Sequence, residues 1–366
     1  MDTTHFVVRR DRLAEHEIVT TPRGALAPGS AELRIDRFGF TTKSVTYGLW
    51  GDSFSFWKFF PEPQPGWGRL PVWGFGTVVR SAAEGVVVGE RFYGYFPMSS
   101  HLIVQPKRVD ASGFFDSAPH RRDLNAVYNQ YLRPSGDPHY HPDTEPQQVV
   151  VRPLFAASFF LADFLREHAF FETDLTLVSS ASSKLAYAMA FVLAADPKRK
   201  SRKLVGLTSE RNAPFVSRLG LYDRVVTYPD LATLPSTPRT LFIDIAGGTP
   251  LRIAVHQHLG NSLRHLLSVG ATHQEPQNTG TGGKLPGPEP MPFFAPTWIR
   301  RRTQQWTTAE ADRRLVEAWR GFVPMLDPAR GWMTITSSTG PAAVGQTYDD
   351  FVAGRARPEH GHVLSL

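Results

Sequence analysis

The sequence predicts an α/β protein in two parts: a turn-rich antiparallel β domain, then a doubly wound parallel sheet. Three observations carry that expectation. Residues 1–150 are rich in Gly, Pro and aromatics and hold short alternating runs such as ELRIDRF and GERFYGYF, the period-2 pattern of half-buried strands. From about Pro153 short apolar runs alternate with helical ones, which is how βαβ units read. The tail, WMTITSSTG to GHVLSL, returns to strand-like text. At 366 residues the chain suits two domains better than one.

Within the first part, PEPQPGWGRLP (Pro61 to Pro71) and RPSGDPHYHPDTEP (Arg133 to Pro146) are expected to be loops, because proline removes the donors of a strand ladder. The second part, 151–295, opens with LFAASFFLADFLREH, a helix. Its strands are expected at Leu175–Ser179, Leu204–Thr208, Arg224–Tyr228, Thr240–Ile245 and His265–Val269. Helices are expected at Leu185–Ala195, Ala213–Leu219 and Pro250–Leu259, with Gly220 and Gly260 placed as C-caps. NTGTGGKLPGPEP (Asn278 to Pro290) reads as a loop. After it, TTAEADRRLVEAWRGFVPML is an amphipathic helix capped by Thr307 or Thr308, with Leu315, Trp319 and Phe322 on one face. The stretch from about 296 to 366 is expected to complete the first domain.

Composition narrows the chemistry. Hydrophobic residues make up 41% and charged residues 20%, ordinary for a globular protein with a sizeable core. The opening MDTTHFVVRRDRLAEHE lacks the apolar stretch of a signal peptide, and no apolar run is read as reaching the roughly 20 residues that span a bilayer. The expectation is a cytoplasmic protein without a membrane partner. Cysteine is absent, which removes disulfides, thiolate catalysis and cysteine-ligated zinc or iron–sulfur sites. The net charge of +6 gathers partly in KRKSRK (Lys198 to Lys203) and in Arg300–Arg302. No nucleic-acid module accompanies either cluster, so both read as solvated surface.

Several stretches resemble one family. GFGTVV followed by VVVGERFYGYF, then RLGLYDRVVTY, then LFIDIAGG with HLLSVGAT, and finally GHVLSL look like successive passages of the medium-chain dehydrogenase/reductase superfamily, in its zinc-independent quinone oxidoreductase-like branch. SASSK, YNQY and FFAPTWIRRR together resemble a poorly characterised branch known as a domain of unknown function. The resemblance implies a GroES-like β domain, a Rossmann-type nucleotide fold, an NADPH cofactor, a small-molecule substrate and a homodimer.

On this alignment the family's glycine-rich turn falls on Ala181 to Ala186 (ASSKLA), and its glycines are gone. Glycines there allow a tight turn and close approach to a pyrophosphate. The turn still opens a helix, whose free N–H groups and dipole favour an anion. Ser182, Ser183 and Lys184 are therefore read as replacing glycine contacts with side-chain ones. The plainer reading makes the serines caps and leaves Lys184 in solvent. The second strand ends at Thr208 and Ser209, followed by Glu210, Arg211 and Asn212. Hydroxyls with Arg211 and Asn212 suit a ribose 2′-phosphate, provided Arg211 and not Glu210 faces it. Gly247 and Gly270, in the two later family passages, complete the expected cofactor set.

For catalysis the resemblance implies Tyr47, with Thr46 where the quinone reductases carry an asparagine. Such a tyrosine would steady a developing oxyanion. Tyr128 and Tyr131 of YNQY read first as packed core residues. The zinc-ligand positions of the wider superfamily align with Val72 and Trp73, neither of which binds metal, so no metal is expected. His139, His141, Asp143 and Glu145 share an alternation that could hold an ion, but they lie in a proline-bounded loop. The leading expectation is a zinc-free NADPH-dependent reductase of a quinone or enone. Its rival is a ligand-binding protein or non-redox enzyme on a scaffold that has lost tight cofactor binding.

Overall fold

The computed structural model describes residues 2–196, 202–245, 248–269 and 286–366. The chain divides into two compact units, Met1–Pro153 with Met333–Leu366, and Leu154–Trp332. In the first unit, β1 (Asp2–Arg9) pairs with β2 (His16–Pro22) and with the short β4 (Trp67–Gly68). The main sheet runs β3 (Ala31–Phe40), β5 (Pro71–Ser81), β6 (Arg91–Pro97), β10 (Gln130–Leu132), β9 (Gly113–Asp116), β8 (Pro106–Asp110), with β7 (His101–Val104) also on β3. Helix α1 (Thr42–Leu49) follows β3 directly, and α2 (Glu145–Glu167) begins after the proline-bounded loop. Phe6, Phe38, Phe92, Phe96 and Leu33 fill the core between these strands.

Register aligns three positions of this sheet. Gly39 of β3 faces Trp73 of β5, and Trp73 faces Tyr95 of β6, so all three project to one face. Gly39 leaves room there. A Cβ on it would stand 2.3 Å from the Val149 carbonyl oxygen, so only glycine lets the first turns of α2 lie on the sheet at that point.

The second unit carries a parallel sheet of β11 (Leu175–Val178), β12 (Lys203–Thr208), β13 (Arg224–Thr227), β14 (Thr240–Asp244), β15 (Leu263–Val269) and β16 (Pro290–Phe293). The spatial order is β13-β12-β11-β14-β15-β16. Numbered within the sheet that is 3-2-1-4-5-6, the doubly wound nucleotide-binding order whose switch point lies between β11 and β14. Helices α3 (Lys184–Ala194), α4 (Ala213–Arg218) and α5 (Thr249–Leu259) lie between successive strands, close to the expected spans. Gly220 and Gly260 take positive φ after α4 and α5, as a C-cap requires. The sixth strand falls at the end of the segment read as loop, and it contains Pro290 and Pro292.

One boundary differs from expectation. Residues 296–332 belong to the second unit, and the return to the first comes at Met333. Helix α6 (Ala295–Gln305) is tied to α2 through Asp163, which accepts from Trp298 Nε1 at 2.8 Å and from Arg302 Nε at 2.6 Å. Asp163 and Arg302 are both buried. The arginine run Arg300–Arg302, read as solvated surface, thus contains a core ion pair. Helix α7 (Thr308–Phe322), capped by Thr307, then sets Trp319 and Phe322 against Phe155. The chain finally supplies β17 (Thr334–Thr339), α8 (Pro341–Val352) and β18 (His360–Ser365) to the first unit. There β18 pairs with β3, giving a nine-stranded sheet among the described residues.

One expectation about the membrane also changes. The helical stretch Pro142–Glu167 is long and apolar enough to cross a bilayer by length and composition, with a mean hydropathy of 1.5. Its apolar window is 72% buried inside the protein, which makes it a core helix of this fold.

Candidate functional site

At the switch point of the second unit, β11 ends in Val178 and the chain turns through Ser179, Ser180 and Ala181 to Ser182. Ser180 adopts a φ of 49°. The left-handed residue therefore stands one position before the six that align with the family's glycine turn. A second glycine function has moved to the neighbouring strand. Ala181 N–H donates to the Leu207 carbonyl at 2.9 Å, and a Cβ on Gly206 of β12 would stand 2.8 Å from the Ala181 Cβ. The turn can lie against β12 because the strand, not the turn, lacks a side chain.

The two serines have different partners. Ser183 is the N-cap of α3, and its hydroxyl accepts from Ala186 N–H at 3.2 Å. Ser182 Oγ accepts from Asn212 Nδ2 at 3.2 Å, which joins two residues expected at the cofactor. Lys184 is the first residue of α3 and is half-buried. Ser209 is half-buried and precedes the short turn Glu210–Asn212, on which Glu210 and Arg211 are both exposed. Gly247 and Gly270 lie outside the described residues.

Thr208 is the sharpest feature here. It closes β12 at 1% exposure, and among the described residues its hydroxyl has no hydrogen-bond partner. Next to the turn stands a feature the sequence reading missed. Ser179 Oγ donates to Asp244 Oδ1 at 3.0 Å and accepts from Ile245 N–H at 2.8 Å. Asp244, only 1% exposed, also receives Arg252 from α5 at 2.9 Å. This network ties the carboxyl ends of β11 and β14 together, at the point where such folds take their ligand. Strand-final position in TLVSS and LFIDI was the available signal.

In the first unit, Tyr47 sits on α1, and its hydroxyl accepts from Trp73 Nε1 at 3.4 Å. Burial pushes Tyr47 up to about 12. Its ring centroid lies 5.5 Å from that of Tyr95, 4.6 Å from Phe56 and 6.3 Å from Tyr128. Tyr95 is fully buried, and among the described residues its hydroxyl finds no hydrogen-bond partner in good geometry. Burial also raises the Tyr95 and Tyr128 hydroxyls well above the ordinary tyrosine range, with the neighbouring tyrosines adding to it. Lys43, one turn before Tyr47, places its ammonium 5.3 Å from the Tyr47 ring centroid. Thr46 is less suited to chemistry, since its hydroxyl donates to the Thr42 carbonyl at 2.9 Å.

The other polar candidates divide cleanly. Tyr131 is a core residue whose hydroxyl donates to the Tyr95 carbonyl at 2.6 Å and accepts from Arg121. Tyr128 belongs instead to the Tyr47 cluster. The loop ligands do not converge on one point. Glu145 is held by Arg91 and Arg37, His139 approaches Asp137, and His141 pairs with Asp143 on the surface.

The chain is similar over nearly its whole length to several solved structures. CurA from Vibrio vulnificus, in complex with NADPH, matches with a TM-score of 0.63 at 14% identity, covering 99% of this chain and 98% of that one. The quinone oxidoreductase from Pseudomonas syringae pv. Tomato DC3000 matches at 0.55 and 13%, covering 100% of both chains. The yhdH oxidoreductase from Salmonella enterica, in complex with NADP, matches at 0.52 and 12%, covering 99% of both. Identities this low show the fold, and the fold is the GroES-like and Rossmann-type pair of the medium-chain quinone oxidoreductases. No curated protein sequence matches the chain. A family profile described as a protein of unknown function (DUF2855) matches residues 38–357.

Proposed function

The chain belongs to the DUF2855 family of proteins of unknown function, and from that premise we propose that it is an NADPH-dependent, zinc-free oxidoreductase acting on a conjugated carbonyl, a quinone or an enone. The observation that carries the nucleotide half of this reading is the buried, unpartnered hydroxyl of Thr208 at the end of β12. Native proteins rarely leave such a group unmet, and the residues around it suit a nucleotide. Ser182, Ser183, Lys184 and the opening N–H groups of α3 would hold the pyrophosphate. Thr208, Ser209, Arg211 and Asn212 would hold the ribose and its 2′-phosphate. Bound NADPH supplies a hydride.

What the chain's own residues contribute lies in the first unit. Tyr47 offers a hydroxyl held in place by Trp73 Nε1. It would donate a hydrogen bond to a substrate oxygen on which negative charge develops, and then a proton. The aromatic surroundings of Phe56, Trp73 and Tyr128 exclude water from that hydroxyl. Val72 and Trp73 stand at the superfamily's zinc-ligand positions and cannot bind metal, so the carbonyl would be polarised by a hydroxyl.

A second reading has one observation in its favour. Ser182 and Ser183 already spend their hydroxyls on Asn212 and on the helix cap, as they would in a ligand-binding protein without a nucleotide. Titrating the purified protein with NADPH and NADH, followed by fluorescence, separates the two. The oxidoreductase reading expects NADPH to bind tightly, and Arg211→Ala to weaken NADPH by roughly tenfold or more while leaving NADH nearly unchanged. Failure of both nucleotides to bind at about millimolar concentration, some 4 kcal/mol of affinity, would favour the second.

A further inference from the structure

The first unit contains a cation that its own fold leaves uncompensated. Lys43 is half-buried on α1, and among the described residues its ammonium has no ion pair and no hydrogen bond. What it meets is the face of the Tyr47 ring, 5.3 Å away. Its position adds to the cost. Lys43 is the second residue of α1, where the helix dipole disfavours positive charge. Burial, the cause of its lowered pKa, works in the same direction. A lone cation in such a place normally acquires a carboxylate partner, and none of the described residues supplies one.

A second, independent feature lies in the same cluster. Tyr95 is fully buried, and among the described residues its hydroxyl has no hydrogen-bond partner in good geometry, with Tyr47 and Tyr128 ring centroids 5.5 Å and 4.7 Å from its own. Around these polar atoms the walls are aromatic. Phe56, Trp73 and Tyr128 are half-buried and pack against the buried Tyr47 and Tyr95, so the cluster's partly exposed surface is aromatic. Flat π-systems stack on such walls, the hydroxyls suit carbonyl oxygens, and the ammonium requires an anion.

We propose that Lys43, with the hydroxyls of Tyr47 and Tyr95, forms a recognition site for a flat conjugated carbonyl compound that carries a negative charge, of the class of hydroxyquinones and enone carboxylates. The proposal names the substrate class of the oxidoreductase reading and rests on it for the word substrate. The binding itself does not depend on nucleotide. Lys43 selects the charge, the aromatic walls select planarity, and the two tyrosines meet the carbonyl oxygens. A neutral quinone keeps the stacking and loses the ion pair.

The test is a titration in the absence of nucleotide, read by tryptophan fluorescence. The probes are 2-hydroxy-1,4-naphthoquinone, ionised at neutral pH, and its neutral 2-methoxy analogue. The expected result is binding of the anion at least about tenfold tighter than of the methoxy compound, the size of one charge-assisted contact. Lys43→Met should erase that preference while leaving the methoxy affinity within about twofold, and Lys43→Arg should retain it. Tyr95→Phe should weaken both probes alike. Equal affinity of the unmodified protein for the two probes overturns the proposal without any variant, even if Lys43→Met does not fold. A preserved preference in a folded Lys43→Met overturns it as well. Because no nucleotide is present, failure of NADPH to bind would sink the reductase reading and leave this result standing on its own.

Discussion

Thr208 is a residue whose chemistry is incomplete within its own fold. Burying a hydroxyl without a partner costs roughly 1–3 kcal/mol in protein measurements. Replacing it with the isosteric valine removes that cost, so Thr208→Val should melt at the same temperature as the parent or slightly higher. NADPH affinity should fall roughly tenfold, one lost hydrogen bond to the ribose. Thermal melts paired with fluorescence titration check both arms, and a lower melting point with unchanged affinity would remove Thr208 from the nucleotide site. The placement of Thr208, Ser182, Ser183 and Asn212 just past the carboxyl ends of β11 and β12 was legible in the sequence, because each follows an apolar run. Ser180 and Gly206 were not. Which residue turns left-handed, and which strand yields the space, is decided by backbone geometry between β11 and β12 that no local pattern records. Trp73 and Tyr95 escaped for a related reason, since they reach Tyr47 only through cross-strand register and helix placement; Lys43 meets Tyr47 one turn on, but its lack of a counter-charge shows only in three dimensions.

At the scale of single elements, two cases show burial setting the electrostatics. His5 on β1 is buried, with one ring nitrogen 2.8 Å from Ser99 Oγ and the other 3.0 Å from Thr21 Oγ1. Burial, aided by the charge of Arg69, lowers it from 6.5 to about 4. A histidine whose folded pKa lies below its unfolded one stabilises the fold fully above the unfolded value. That contribution is lost as pH falls through the folded value. Stability should therefore decline between about pH 6.5 and 4, by an amount on the order of 2 kcal/mol from this group. Urea unfolding across that window should show a shallower decline in His5→Gln, and parallel curves would refute the assignment. The other case is α6, held to α2 by Arg302 on Asp163 and Glu167. Arg302→Met strands a buried carboxylate and should cost about 3–5 kcal/mol. Adding Asp163→Asn should recover part of that loss, as a urea midpoint would report. The arginine run looked like surface in the sequence because charge is normally exposed. Its partner lies 139 residues away on a helix otherwise read as apolar.

For the whole molecule, alternation of period 2 and then of βαβ rhythm made both folds legible, because each strand and helix satisfies its pattern locally. The late boundary at Met333 was hidden because α6 and α7 resemble any amphipathic connection until their contacts to α2 are seen. Assembly is where one further feature has a physical outcome. In β16 the backbone nitrogens of Pro290 and Pro292 share a side, and pairing to β15 turns that side outward. Among the described residues β16 is one edge of the six-stranded sheet, and that rim therefore offers carbonyls and no donors at those two positions. Two copies meeting rim to rim would set oxygen against oxygen. The expected homodimer would not form by backbone pairing at these positions, and light scattering should find two copies whose association does not depend on this rim. Pro290→Val with Pro292→Val would restore the donors and should shift the protein towards larger, growing species; an unchanged size distribution would show that the prolines restrain nothing. With them in place the β16 rim has a closed valence: at Pro290 and Pro292 it can accept from a neighbouring chain but cannot donate to one.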